Sequence, residues 1–215
     1  MGADALARLR ELAARVDAFF LRVEARHGAA MECRSGCHDC CLPGLSCTGV
    51  EARALREALL ALPPEAQARL RARAAGPPGD RCVLLDEEGR CSVYEARPMI
   101  CRSHGVPVRV KDRRGLPLID ACPRNFREGG PGALPPPDVL DQETLSTMLL
   151  ALDALDAREQ GRAAGERVTL RSLLDTLPGR LRLRHAPLLR GAARRRAPAN
   201  FEEGDGGEVM LAGLN

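Results

Sequence analysis

The chain has 215 residues, 45% of them hydrophobic but only 2% aromatic, with no Trp, one Tyr and nine cysteines. That length suits one domain, or one domain with an appendage, and a core of small aliphatic side chains buries less area per residue than an aromatic one, so a supplement to it is expected. The net charge of +3 comes almost wholly from arginine, with Lys111 the sole lysine, and it says little about partners.

Leu6, Leu9, Leu12, Val16, Phe19, Phe20 and Val23 recur at helical spacing with charges between them, which predicts an amphipathic helix over Asp4 to Arg26, stopped near Gly28. This stretch has no apolar signal core, and no apolar run reaches the length of a bilayer crossing, so a cytoplasmic chain without membrane contact is expected. Thr48-Gly-Val-Glu51 is a capping box that opens a helix running toward Pro63, and Pro64 starts another that ends before Gly76-Pro77-Pro78-Gly79. From Cys82 the periodicity changes. CVLLD and RCSVY about a turn at Glu87 to Gly89 predict one hairpin, and PVRV with LPLID around Asp112 to Gly115 a second.

Gly129 to Pro137, GGPGALPPP, has the composition of a linker. Beyond it, Leu145, Met148, Leu149, Leu152 and Leu155 predict an amphipathic helix, with a shorter one over Leu170 to Leu177. From Pro187 the chain turns Arg-rich and then Gly- and acid-rich, the composition of a poorly ordered tail. The basic stretch from Arg180 to Arg196 has no aromatic residues for base stacking, which argues against nucleic acid. The expected fold class is α+β: a small irregular metal-organised module with amphipathic helices and one or two β-hairpins, followed by a C-terminal helical extension. The expected division is 1–128 for the module, 129–137 for the linker, 138–186 for the extension and 187–215 for the tail. The helices of the extension are where an unknown protein partner would dock.

The chemistry is concentrated in the cysteines. Cys33-x3-Cys37-x2-Cys40-Cys41 places four thiols in one loop, and spacings of two to four residues let a loop fold back on an ion. A soft sulfur donor set suits zinc, iron–sulfur clusters or Cu(I) and suits magnesium or calcium badly. In a reducing cytosol, and with an odd cysteine count, a complete disulfide framework is disfavoured. In an extended chain Cys40 and Cys41 would point to opposite sides, so this pair should serve two metal atoms or bridge them. Further ligands must then come from elsewhere, and Cys82, Cys91, Cys101 and Cys122 can supply them. Cys47 occupies an apolar slot before the helix cap and belongs in the core. Nearby Arg34, Arg97, Arg102 and Arg124 could offset the charge of the thiolates.

The combination of CRSGCHDCC, CVLLDEEGRCSVYEARPMICRSHG and Cys122 resembles the YkgJ-type cysteine-cluster proteins, from about Cys33 to Cys122. The resemblance implies zinc or iron chelation by Cys33, Cys37, Cys40, Cys41, Cys82, Cys91, Cys101 and Cys122, without Cys47. The same cluster motif occurs in a flagellin lysine methylase together with an iron–sulfur cluster, which implies an iron–sulfur option here.

Several other readings are weaker. The first three cysteines also have the spacing of a radical SAM loop, but that fold needs a preceding strand and repeated βα units that this chain does not offer. Cys101-x2-His104 has zinc-ligand spacing and His38 lies inside the knot, yet eight thiols already satisfy two sites, which leaves both histidines as supports or surface residues. His27 and His185 read as surface residues. Arg97 either donates to a thiolate or, with Tyr94, anchors the first hairpin to the knot. No nucleophile–base set is identifiable. The function expected is metal binding through about eight cysteines, as an iron–sulfur cluster first and zinc second. The role would be a redox, assembly or modification-system accessory. The alternatives are a zinc-stabilised interaction module and part of a lysine methylase-like enzyme.

Overall fold

A computed structural model describes residues 4–177. Helix α1, Ala5–His27, starts at Asp4, whose side chain accepts the N–H of Leu6, and it buries Leu6, Leu9, Leu12, Val16, Phe19 and Val23. Strand β1, Ser46–Thr48, leads into α2, Gly49–Leu60, through the expected capping box, and Pro64 at the first position opens α3, Pro64–Ala75. After a long irregular stretch come the short helix α4, Met99–Ser103, and strands β2, Val108–Lys111, and β3, Pro117–Asp120. The chain then forms β4, Leu140–Asp141, α5, Gln142–Gln160, β5, Arg167–Thr169, and α6, Leu170–Asp175. The α+β class holds, with helices predominating.

Apolar burial among the described residues falls into three clusters. One joins α2, α3 and α6 to the irregular stretch through Leu55, Leu59, Leu70, Leu84, Leu173 and Leu174. Another packs the first half of α1 against Val50, Met99 and Leu145, and the last gathers Phe19, Val23, Val106 and Phe126. Cys47, 1% exposed, lies in the first cluster as its apolar slot implied.

Two small sheets tie early and late parts of the chain together. β1 and β5 are antiparallel, with Cys47 opposite Val168, while the other sheet has the order β3-β2-β4 with β2 and β4 parallel. The hairpin expected from PVRV and LPLID forms as β2 and β3, in the register Val108 to Asp120. The one expected around Glu87 to Gly89 does not. It shrinks to a single bridge between Leu85 and Cys91. Val83, Leu84 and Leu85 are all buried, so this run cannot alternate one face inward and one outward, and the Arg73 guanidinium takes the carbonyls of Val83 and Leu85.

The segment with linker composition contains two 3-10 turns, Pro131–Ala133 and Pro136–Asp138. It ends on Asp138, 1% exposed, which accepts from Arg26 at 2.6 Å and lies 2.8 Å from His27 Nε2. His27 is therefore partly buried and paired, where a surface residue was expected. Residues 178–186 of the expected extension, His185 among them, the basic stretch from Arg180 to Arg196 and the whole expected tail lie outside the described residues.

A buried polar knot joins α5 to α2. Asp153 Oδ1 accepts the N–H of Val50 at 3.0 Å and Arg162 at 2.6 Å, while Oδ2 accepts the N–H of Gly165 at 2.8 Å. Arg162 also reaches Asp156 at 2.7 Å. A carboxylate on the first N–H groups of a helix satisfies donors that have no partner within the helix and complements its dipole. Burial pushes the Asp153 carboxyl up, but Arg162 and the Gly165 and Val50 amides outweigh it and hold it below the usual carboxylate range.

Candidate metal centre

The thiol loop between α1 and β1 is a succession of tight turns. Cys37 closes one by donating its N–H to the Arg34 carbonyl at 3.0 Å, and Cys41 closes the next by donating to His38 at 2.9 Å. Leu42 then donates back to Cys40 at 3.0 Å. The segment is therefore not the extended chain in which Cys40 and Cys41 would point to opposite sides. The interaction of the two thiols with each other is the leading cause of both their shifts, raising the Cys40 thiol and lowering that of Cys41.

The later cysteines are brought to the loop by the main chain. Cys82 donates its N–H to the carbonyl of Cys41 at 2.7 Å. The backbone amides of Leu84 and Val93 lower the Cys82 and Cys91 thiols, each donor two residues past the cysteine, against the burial that raises both. Such donors stabilise sulfur in its thiolate form. Cys101 rides on α4, whose start is fixed by Glu51: the buried carboxylate accepts the Thr48 N–H at 2.8 Å and the Met99 N–H at 2.7 Å. The sequence disclosed only the first of these two contacts, as the capping box.

Electrostatics sort the thiols into two neighbourhoods. Burial raises Cys33, and Cys122, Cys37 and Cys40 raise it further. Burial pushes Cys101 up to about 12, with contributions from Cys82, Cys91 and Cys40. Cys41 feels Cys82, Cys101 and Cys91. Cys40 thus acts on members of both groups. Cys47 is pushed up to about 12 mainly by burial, with a smaller contribution from Cys101, and its sulfur lies 3.6 Å from the Val168 carbonyl.

The four arginines mostly hold structure together. Arg124 binds Glu32 at 3.0 Å and Asp39 at 2.7 Å, clamping the thiol loop to the segment after Cys122. Arg97 pairs with Asp17 of α1 at 2.8 Å and stacks on Tyr94, 4.0 Å from the ring centroid, while buried Arg102 bonds to Asp17 and to the carbonyls of Arg97 and Glu95. Arg97 is an anchor by geometry, although its charge still lowers the Cys91 thiol. Arg34 is exposed. His38 donates Nδ1 to the Gly36 carbonyl at 2.9 Å and packs on Gly89 (φ +76°), where an added Cβ would sit 2.7 Å from that nitrogen. His104 is exposed.

Asn125 was missed by the sequence reasoning. Its side chain is 4% exposed and donates to the Cys33 sulfur at 3.2 Å. Nothing in Cys-Pro-Arg-Asn-Phe marks it, because the motif carries no period and its partner is 92 residues away.

Among the described residues, no group of three or more His, Cys, Asp or Glu side chains is arranged to hold an ion. The donor chemistry nonetheless suits a thiophilic metal. All nine cysteines are free, and their sulfur is a soft donor. Residues 32–122 match the family model CxxCxxCC, described as a "putative zinc- or iron-chelating domain". This segment is similar to the CxxCxxCC domains. No curated protein and no solved structure matches the chain. The matched segment ends at Cys122, so Asn125 and Arg124 support it from just outside, and α5 and β5 lie well beyond it. No helix among the described residues is long and apolar enough to cross a membrane.

Proposed function

We propose that the matched segment holds a polynuclear iron–sulfur centre, with Cys33, Cys37, Cys40 and Cys122 as one donor set and Cys41, Cys82, Cys91 and Cys101 as the other. The observation that carries this reading is the N–H of Cys82 donating to the Cys41 carbonyl at 2.7 Å, which brings the later cysteines onto the vicinal Cys40–Cys41 pair. A donor belt continuous through a vicinal pair suits several metal atoms close together, whereas isolated tetrahedral ions are served by separated sets.

Such a centre, when bound, supplies one-electron chemistry and a pin between distant parts of the chain. The chain's own groups orient the donors or favour their thiolate form. The Leu84 and Val93 amides lower the Cys82 and Cys91 thiols, Glu51 sets the start of α4 beneath Cys101, and Asn125 fixes Cys33. On this reading the protein is a cytoplasmic redox or cluster-assembly accessory, or the cluster-bearing part of a modification system. The exposed Met148 and Leu150 of α5 are available to a protein partner.

A zinc-stabilised interaction module is the second reading. It is favoured by the backbone amides that lower the Cys82 and Cys91 thiols, which suit a tetrahedral ion equally well, and by the family description, which names zinc beside iron. Anaerobic purification followed by iron, zinc and acid-labile sulfide analysis separates the two. Coloured protein with iron and sulfide is the expected result. Colourless protein with stoichiometric zinc replaces the first reading by the second, and protein that takes up neither metal overturns both.

A further inference from the structure

The Cys33 sulfur lies in a fitted niche. Gly105 (φ +104°) faces it so closely that an added Cβ would stand 2.8 Å from the sulfur, and the same Cβ would meet Phe20 at 3.5 Å and Asn125 Nδ2 at 3.6 Å. Asn125 completes the niche with every polar atom of its carboxamide engaged. Oδ1 accepts the N–H of Glu32, the residue before Cys33, at 2.8 Å, while Nδ2 donates to the Gly105 carbonyl at 2.7 Å and to the Cys33 sulfur at 3.2 Å. Its own N–H donates to the Cys122 carbonyl at 2.8 Å. One buried side chain therefore fixes the backbone on the near side of Cys33, points a donor at its sulfur, and is tied to Cys122, which acts electrostatically on Cys33.

We propose that Asn125 is a positioning residue of the metal centre, whose carboxamide N–H holds the Cys33 thiolate in place and draws charge from it when Cys33 is a ligand. The inference rests on the metal-binding reading. A donor to a ligand sulfur orients it and spreads the negative charge that four thiolates accumulate, and outer-sphere donors of this kind are typically worth about 10–100-fold in metal affinity. Gly105 keeps the sulfur within reach of the donor, since any side chain there would displace one or the other.

The test uses the full chain loaded with cadmium-113 as a spectroscopic substitute for the native metal. A scalar coupling between the Asn125 side-chain amide proton and the cadmium nucleus, transmitted through the Cys33 sulfur, is expected in the native protein. It reports the N–H···S bond itself, which a purely architectural asparagine would not produce. Asn125→Asp keeps an acceptor for the Glu32 N–H and removes the donor. It should bind cadmium about 10–100-fold more weakly in chelator competition while retaining the native far-UV circular dichroism. The coupling in the native protein stands as the deciding result if the variant does not fold. Absence of coupling in cadmium-loaded native protein, or wild-type affinity in a folded Asn125→Asp, overturns the proposal and leaves the metal-binding reading standing. A native chain that binds no cadmium, zinc or iron removes that reading instead.

Discussion

The N–H of Cys82 donates to the carbonyl of Cys41 at 2.7 Å, joining the early thiol loop to the later cysteines through the backbone before any metal is considered. The meeting of the groups is thus a property of the folded chain, and a metal would tighten contacts that the polypeptide already makes. Loaded protein treated with a strong chelator should accordingly keep most of its helical circular dichroism, because α1, α2 and α5 pack through their own apolar clusters. The segment from Cys33 to Cys41, which is held by turns and has little buried apolar surface, should become the preferred site of proteolysis. Complete loss of helix on chelation would contradict this.

Cys41 and Cys47 are six residues apart and should behave oppositely. Cys41→Ser should lower the metal content, since its thiol neighbours Cys40, Cys82, Cys91 and Cys101. Cys47→Ala should leave the stoichiometry unchanged and destabilise the fold by about 1 kcal/mol, through a small cavity beside Leu170 and Leu174. Metal analysis and urea unfolding of the two variants check this, and metal loss in Cys47→Ala would show the ligand set to be misassigned.

Glu51 links two helix starts. Glu51→Ala leaves the buried N–H groups of Thr48 and Met99 without their acceptor, at a cost of roughly 1–3 kcal/mol for each group left unsatisfied. Because Met99 begins the helix that carries Cys101, metal affinity should fall together with stability, and paired denaturation and chelator-competition measurements would register both.

The Asp153 knot sets an acid limit on the fold. The folded-state pKa of this carboxyl lies below its ordinary value, 3.8, so its contribution is fully present above that value and is lost as the pH falls through the lowered folded pKa. Asp153→Ala should destabilise by about 3–5 kcal/mol at neutral pH, because Arg162 loses one carboxylate and the Val50 and Gly165 amides lose their acceptor. Asp153→Asn should be milder at neutral pH and should flatten the acid limb of a stability-against-pH curve. An unchanged acid limb would place the titrating group elsewhere.

Local patterns were legible where they alone decide structure. The α1 stripe, the Thr48–Glu51 cap, Pro64 at a helix start and the β2–β3 hairpin all follow from short-range periodicity and turn chemistry. The Leu85–Cys91 region was misread as a hairpin because burial on both faces of Val83 to Leu85, and the reach of Arg73 across from α3, are tertiary facts. For the site, the spacing of the cysteines revealed which residues carry the chemistry. What orients them stayed hidden: the thiol loop is curled by successive backbone turns at Cys37 and Cys41, and Asn125 acts across 92 positions of chain.

The pairing of Ser46–Thr48 with Arg167–Thr169 has a practical corollary for anyone trimming this molecule. A fragment stopped after residue 160 would strand the first of these segments as a raw edge, bare the flank of Cys47 that faces Val168, and deprive the Asp153–Asp156 carboxylates of Arg162. A fragment meant to keep these contacts must therefore run on through β5 and α6, well past Cys122, the last of the sulfur.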